Sequence, residues 1–114
     1  MSKLKIKILA DRDHLIQKGL MFTESLPSDE CAFFVFPRAA KHAFWNKNVP
    51  YSIDVGFYDN GGKLIHVGAL EAEQTQPIMP CDDAKYVLEA NRGWFDTHEI
   101  KVGSNLWDVL DLEK

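Results

Sequence analysis

The sequence predicts a mainly β (α+β) fold: a small barrel-like or sandwich-like antiparallel sheet of about seven short strands, with one or two short helices. Three features lead there. Near the N-terminus, apolar and polar residues alternate with a period of two. Further on, Asp59-Asn60-Gly61-Gly62 separates two segments rich in β-branched and aromatic residues. The apolar runs are short and are interrupted by Pro and Gly. At 114 residues, the chain suits a single domain over residues 1–114.

Each element has its own warrant. Leu4, Ile6 and Ile8 alternate with Lys3, Lys5 and Lys7, which reads as a half-buried strand with a lysine-rich outer face. Lysines there also discourage edge-to-edge pairing. Asp11 is placed to cap a short helix, DRDHLIQKGL, with Leu15 and Ile16 inward and Gly19 at its end. ESLPSDE is a turn-rich connection, and CAFFVF is a dense apolar strand that Pro37 should stop. AFWNK is read as a further strand. SIDVGFY and KLIHVGAL flank the Asn60-Gly61 signal and should pair as a hairpin, with Tyr58 facing Lys63, Phe57 facing Leu64 and Val55 facing His66. Both faces of that hairpin are partly apolar, which suits a sheet packed or curled on itself. EQTQPIMPCDD is a polar loop. AKYVLEA is a strand, with helix as its rival because Ala, Leu and Glu favour helices. NRGWFDTHEI suggests a short helical turn, and VGSNLWDVLDL a final strand or strand pair.

Composition narrows the function classes. Hydrophobic residues make up 46% and charged residues 26%, as in ordinary soluble globular proteins. The net charge of −4 and the scattered Lys and Arg oppose general nucleic-acid binding, which needs a basic surface. No continuous apolar segment resembles a signal peptide or a membrane span, so a soluble cytoplasmic protein with no membrane partner is expected. Cys31 and Cys81 lie far apart with no C-x-x-C spacing, and two free thiols are expected, buried as small hydrophobes.

The blocks KGLMFTESLP, FFVF, FWNKN followed by Asp54, YVLEANRGW and IKVGS stand in the order seen in the family catalogued as domain of unknown function 192. The chain resembles that family from about Gly19 to Ser104. The resemblance implies a compact β-rich single domain, found in bacteria and archaea and often behind a signal peptide, with no agreed activity. Trp45, Lys47, Asn48, Asp54, Tyr86, Glu89 and Gly93 keep the family identities. Other positions depart from it. Asn46 stands at a usual Met, Val49 at a Thr and Ser52 at a Pro. Cys31-Ala32 replace Gly-Met, Thr23 replaces an Arg, and Ser104 replaces an Asp.

Candidate chemistry centres on WNKN. Trp45 and Lys47 share one face by the period of two. An exposed Trp beside a Lys forms a platform for a sugar ring, a peptide or a carboxylate. The competing account, preferred for Trp45, packs the indole in the core, pairs Lys47 with Asp54 and has Asn48 close a turn by bonding to its amides. Asp54 lies inside a strand pattern where Asp is disfavoured, so it needs solvent, a partner or a function. Asp54 and Glu89 could form a carboxylate pair for acid–base work if the fold brings them together. His14, His42, His66 and His98 show no metal-binding spacing, and neither a metal site nor a cofactor is expected. Cys81 precedes Asp82-Asp83, whose charges oppose thiolate formation.

The function expected from these residues is that of a non-enzymatic ligand- or partner-binding module. Its site is Trp45, Lys47, Asn48 and Asp54, with Tyr86 and Glu89 nearby. The partner would be a small molecule, peptide or protein, and the domain a monomer or weak homodimer. A small hydrolase using Asp54 and Glu89, and a structural or assembly protein, are the rivals.

Overall fold

A computed structural model of the chain describes residues 3–112. Its elements run β1 (Leu4–Ala10), α1 (Asp13–Lys18), β2 (Glu30–Ala40), β3 (Ile53–Tyr58), β4 (Leu64–Leu70), β5 (Ala84–Asn91), α2 (Trp94–Thr97), a 3-10 turn (Leu106–Asp108) and β6 (Leu110–Asp111). The strands form one curled six-stranded sheet in the order β4-β3-β5-β2-β1-β6. The fold is mainly β with two short helices, as the sequence indicates. Six strands are present among the described residues rather than seven, because AFWNK forms no strand. Within it only Phe44 pairs, in an isolated bridge to Ile78.

The sheet is mixed rather than wholly antiparallel. β2–β5, β3–β5 and β3–β4 are antiparallel, whereas β1 runs parallel to both β2 and β6. A parallel pair needs a crossover connection, and α1 with the turns after it supplies one between β1 and β2. Arg12, not Asp11, occupies the N-cap of α1, and Gly19 ends the helix at φ 49°. Leu15 and Ile16 pack inward as expected. Pro37 does not stop β2. The strand continues to Ala40, with a register break between Val35 and Ala40 where Pro37 can supply no amide to β5.

Both faces of the sheet are covered, so there are two cores. Phe34, Phe36, Phe44, Val55, Phe57 and Val87 lie on one face, together with Leu15 and Ile16. Phe33, Tyr58, Leu88, Trp94, Phe95 and Leu106 lie on the other. β3 is buried along its whole length. It tolerates a ring directly on its backbone because Gly56 has no side chain: a Cβ there would lie 2.5 Å from Phe95 Cζ. Cys31 is buried and free. Cys81 is also free but exposed, because its loop runs over the surface. No helix among the described residues is long and apolar enough to cross a membrane.

The β3–β4 hairpin forms, but its register differs from the expected one. Tyr58 pairs with Leu64, Phe57 with His66 and Val55 with Gly68, across a bulge. The cause is Asp59. Its carboxylate accepts hydrogen bonds from the amides of Gly61 (3.0 Å) and Lys63 (2.9 Å), and Gly62 N donates to Asp59 O (3.0 Å). That locks a three-residue loop whose left-handed position is Gly62 (φ 86°) rather than Gly61. A Cβ on Gly62 would also lie 3.1 Å from Trp107 Nε1. Gly62→Val is therefore expected to cost about 2 kcal/mol or more in urea unfolding, and Gly61→Val under about 1 kcal/mol. The reverse order would contradict this turn.

Candidate functional site

The polar residues of interest divide between the two faces of the sheet. β5 sets the division. Glu89 lies opposite Val55, whereas its neighbour Ala90 lies opposite Asp54. Glu89 therefore shares the face of Phe34, Phe44 and Val55, while Asp54 emerges on the other. Tyr86 is three residues from Glu89 on the same strand and also faces away from it, stacked on Phe33 (centroids 6.1 Å apart) and against Trp107 (5.6 Å). The Asp54–Glu89 carboxylate pair on which the hydrolase alternative depends does not form, since a strand sends adjacent registers to opposite sides.

On the Glu89 face is a cleft of about 690 Å³. The loop after α1, with Gly19 and Phe22, forms one wall. The irregular segment from His42 to Lys47 forms the other, and Phe34, Phe36, Phe44 and Glu89 lie between them. Trp45 and Lys47 are on the rim. Trp45 is 45% exposed and so is not the core tryptophan the sequence favoured. Lys47 Nζ sits 5.4 Å from the centroid of the Trp45 ring, a cation–π contact.

Glu89 is the unusual group. It is 4% exposed, its carboxyl has no hydrogen-bond or ion-pair partner among the described residues, and its oxygens are not among the fully enclosed unpartnered atoms. It lies close beneath the α1 wall: a Cβ on Gly19 would be 3.9 Å from Glu89 Oε1. Burial alone pushes its carboxyl up to about 8, with no neighbouring cation to bring it down. Beside it, Tyr51 shares a hydrogen bond with the Thr23 hydroxyl (2.8 Å), and Thr23 Oγ1 donates to Leu20 O. Burial thus favours the neutral form of Glu89 over the carboxylate at pH 7, a form able to donate or accept a hydrogen bond, or to ionise beside a cation.

Asn46 holds the second wall in place, and sequence reasoning missed it. Its side-chain amide donates to Tyr51 O and to Glu71 O, both at 2.9 Å, and its backbone N donates to Gln74 O (2.7 Å). Both side-chain partners are carbonyls, so the orientation of the amide is fixed. Its Oδ1 is left buried without a donor. The signal was available: a position that is usually Met is an apolar environment, and an Asn buried there needs partners.

Asn48 stands beside the cleft at φ 62°. Its backbone does the bonding expected of its side chain. Phe22 N donates to Asn48 O (2.9 Å), and Asn48 N donates to Glu73 Oε1 (3.0 Å). Phe22 (φ 65°) and Glu73 (φ 59°) are also left-handed, so three non-glycine residues in a costly conformation are linked at this rim. Phe22 is 74% exposed, another cleft residue that the sequence reading passed over.

Asp54 does not pair with Lys47. Its Oδ2 accepts from Gly93 N (2.8 Å), and its Oδ1 lies 3.7 Å from Arg92 Nε. Arg92 in turn bridges to Glu71 (2.5 Å). Gly93 has φ 87° and opens α2, so Asp54 anchors the turn between β5 and α2. Burial raises the Asp54 carboxyl, against lowering by Gly93 N–H and Arg92. Lys47→Met is expected to change stability by less than about 0.5 kcal/mol. In a thermal-melt cycle with Asp54→Asn the effects should add within about 0.5 kcal/mol. A larger coupling would contradict the separation.

The model of the DUF192 family, described as uncharacterized ACR, matches residues 2–107. The chain belongs to this family. Two solved structures share the fold seen here. One is a protein of unknown function from Novosphingobium aromaticivorans, at 24% identity and TM-score 0.81, covering 85% of this chain and 70% of that one. The other is described as a "putative transcription regulator" from Sinorhizobium meliloti, at 22% identity and TM-score 0.83, covering 88% of this chain and 78% of that one. At these identities the likeness carries the fold alone. No curated protein matches the chain.

Proposed function

We propose that this DUF192 domain is a non-enzymatic binding module whose small-molecule ligand occupies the cleft over Glu89. One observation carries the reading: a buried carboxyl without a partner opens onto a cleft with aromatic walls. An isolated buried polar group costs stability unless something hydrogen-bonds to it. A concave apolar site with one or two convergent polar groups is the usual form of a small-molecule site. Trp45 and Lys47 close the rim, and the linked left-handed residues fix its shape. Asn48 supports the rim through its backbone, while Asp54 and Tyr86 belong to the opposite face and take no part.

The hydrolase rival loses its basis, because the two carboxylates it requires face apart. The net charge of −4 favours a ligand-binding role over direct contact with DNA, whose phosphates attract basic surfaces.

The test is amide chemical-shift mapping with hexanol, hexylamine, hexanoate and their benzyl counterparts. The expected result is that at least one compound perturbs Gly19–Phe22 and Phe44–Lys47 together. Perturbation confined to Asp54, Arg92 and Trp94, or none with any compound, would overturn the reading.

A further inference from the structure

We propose that the cleft selects a ligand bearing an organic ammonium group, which pairs with the Glu89 carboxylate while its apolar body lies against the phenylalanine walls. This inference rests on the binding reading above and narrows it. It begins from an imbalance of charge and hydrogen bonding. Glu89 offers two acceptor oxygens once ionised, and no donor of this chain bonds to either among the described residues. Asn46, in the lining of the same cleft, lends Glu89 no donor, because its side-chain amide is taken up by Tyr51 O and Glu71 O. Once Glu89 ionises the site is short of donors, and a ligand that supplies them corrects the deficit. An ammonium carries three donors and a positive charge.

The walls point the same way. Phe34, Phe36 and Phe44 line the cleft, with Phe44 packed edge to face against the other two and His42 stacked on Phe36, and Trp45 stands at its mouth. Aromatic rings attract a cation brought out of water, and a carboxylate among them fixes where it sits. An anionic ligand would meet Glu89 as the protonated acid, with one O–H to donate and no charge to attract it, whereas an ammonium meets both oxygens of the carboxylate and balances its charge.

The chain's own cations leave this place free. Lys47 is held over Trp45. The other ionisable groups lining the cleft are His14 and Lys18 on α1 and His42 on the opposite wall, and Tyr51 lies next to Glu89. None of the three basic groups makes an ion pair with Glu89. Their side chains are exposed or partly exposed at the rim, where water and salt screen them.

Binding has a proton balance. An alkylammonium enters with its charge, and Glu89, neutral at pH 7, gives up its proton to the buffer. The products are the ion pair and one free proton, with no covalent bond formed or broken. At a pH above the Glu89 midpoint near 8, the carboxylate is already ionised and no proton is released.

Calorimetric titration with hexylamine, hexanol and hexanoate, each in two buffers of different ionisation enthalpy at pH 7 and pH 9.5, tests this. The expected result is hexylamine binding at least tenfold tighter than the other two, with close to one proton released at pH 7 and almost none at pH 9.5. Glu89→Gln, a nearly isosteric change, should abolish both the preference and the proton release. Asp54→Asn, on the opposite face, should retain both. A free amine and a peptide lysine share this chemistry, and N-acetyl-lysine methylamide in the same titration distinguishes the sources. Equal or tighter binding of hexanol or hexanoate at the cleft amides would overturn the ammonium preference while leaving the binding reading intact. So would a hexylamine preference that survives in Glu89→Gln. Failure of all the ligands to bind would overturn both.

Discussion

Glu89→Gln is expected to stabilise the domain at pH 8–9 and to leave it unchanged at pH 4. The sign follows from the raised carboxyl. An unfolded glutamate ionises near 4.5, whereas the buried one does so at about 8. Below 4.5 both states are protonated, and the neutral side chain is accommodated at no electrostatic cost. As the pH rises, the unfolded chain ionises first, so stability is lost progressively from 4.5 until the folded carboxyl also ionises near 8. Each unit of difference corresponds to about 1.4 kcal/mol, so Glu89→Gln should gain roughly 4–5 kcal/mol above pH 8. The comparison of variant with wild type in urea at several pH values isolates this group from the other carboxylates. A gain that does not grow with pH would mean that Glu89 is solvated or paired.

Asn46→Ala is expected to cost about 2–4 kcal/mol, because it leaves Tyr51 O and Glu71 O without their donor at two points of one loop system. The larger consequence is local. The segment from His42 to Lys47 has no strand neighbour beyond the Phe44–Ile78 bridge, so Asn46 is its main polar tether. Amide exchange from Ala43 to Lys47 should rise well beyond the global change in stability. A cost under about 1 kcal/mol with unchanged exchange would show that Phe44 and Val49 packing alone shapes this wall.

Much of the sheet is legible in the residues. The Leu4–Ile8 alternation, the hairpin around Asp59–Gly62 and the helical turn at Trp94 all follow from local pattern. What stays hidden depends on groups that meet only in space. Asn60-Gly61 suggests a two-residue turn, but the Asp59 carboxylate captures two amides and moves the left-handed position on to Gly62. AFWNK alternates as a strand does, yet its carbonyls and amides find loop partners instead. No local signal says that β1 and β2 are parallel, because that depends on how the α1 crossover packs.

The site was legible in the same uneven way. Trp45, Lys47 and Glu89 stand out in the sequence and line one cleft. Tyr86 could have been set apart from Glu89 on sequence grounds, since residues an odd number apart on a strand face opposite ways. Asp54 could not, because its placement depends on the pairing of β3 with β5. Lys47 was assigned to Asp54 by proximity in sequence, while the cation that meets it, Arg92, arrives from the end of β5.

Everything proposed for the cleft depends on Glu89 being an unpartnered acid that faces it. The most direct measurement is an NMR titration of its side-chain carboxyl carbon, in the free domain and in saturating hexylamine. The expected midpoint is near 8 in the free domain, falling once the amine is bound. A midpoint near 4.5 in the free domain, unmoved by the amine, would contradict it.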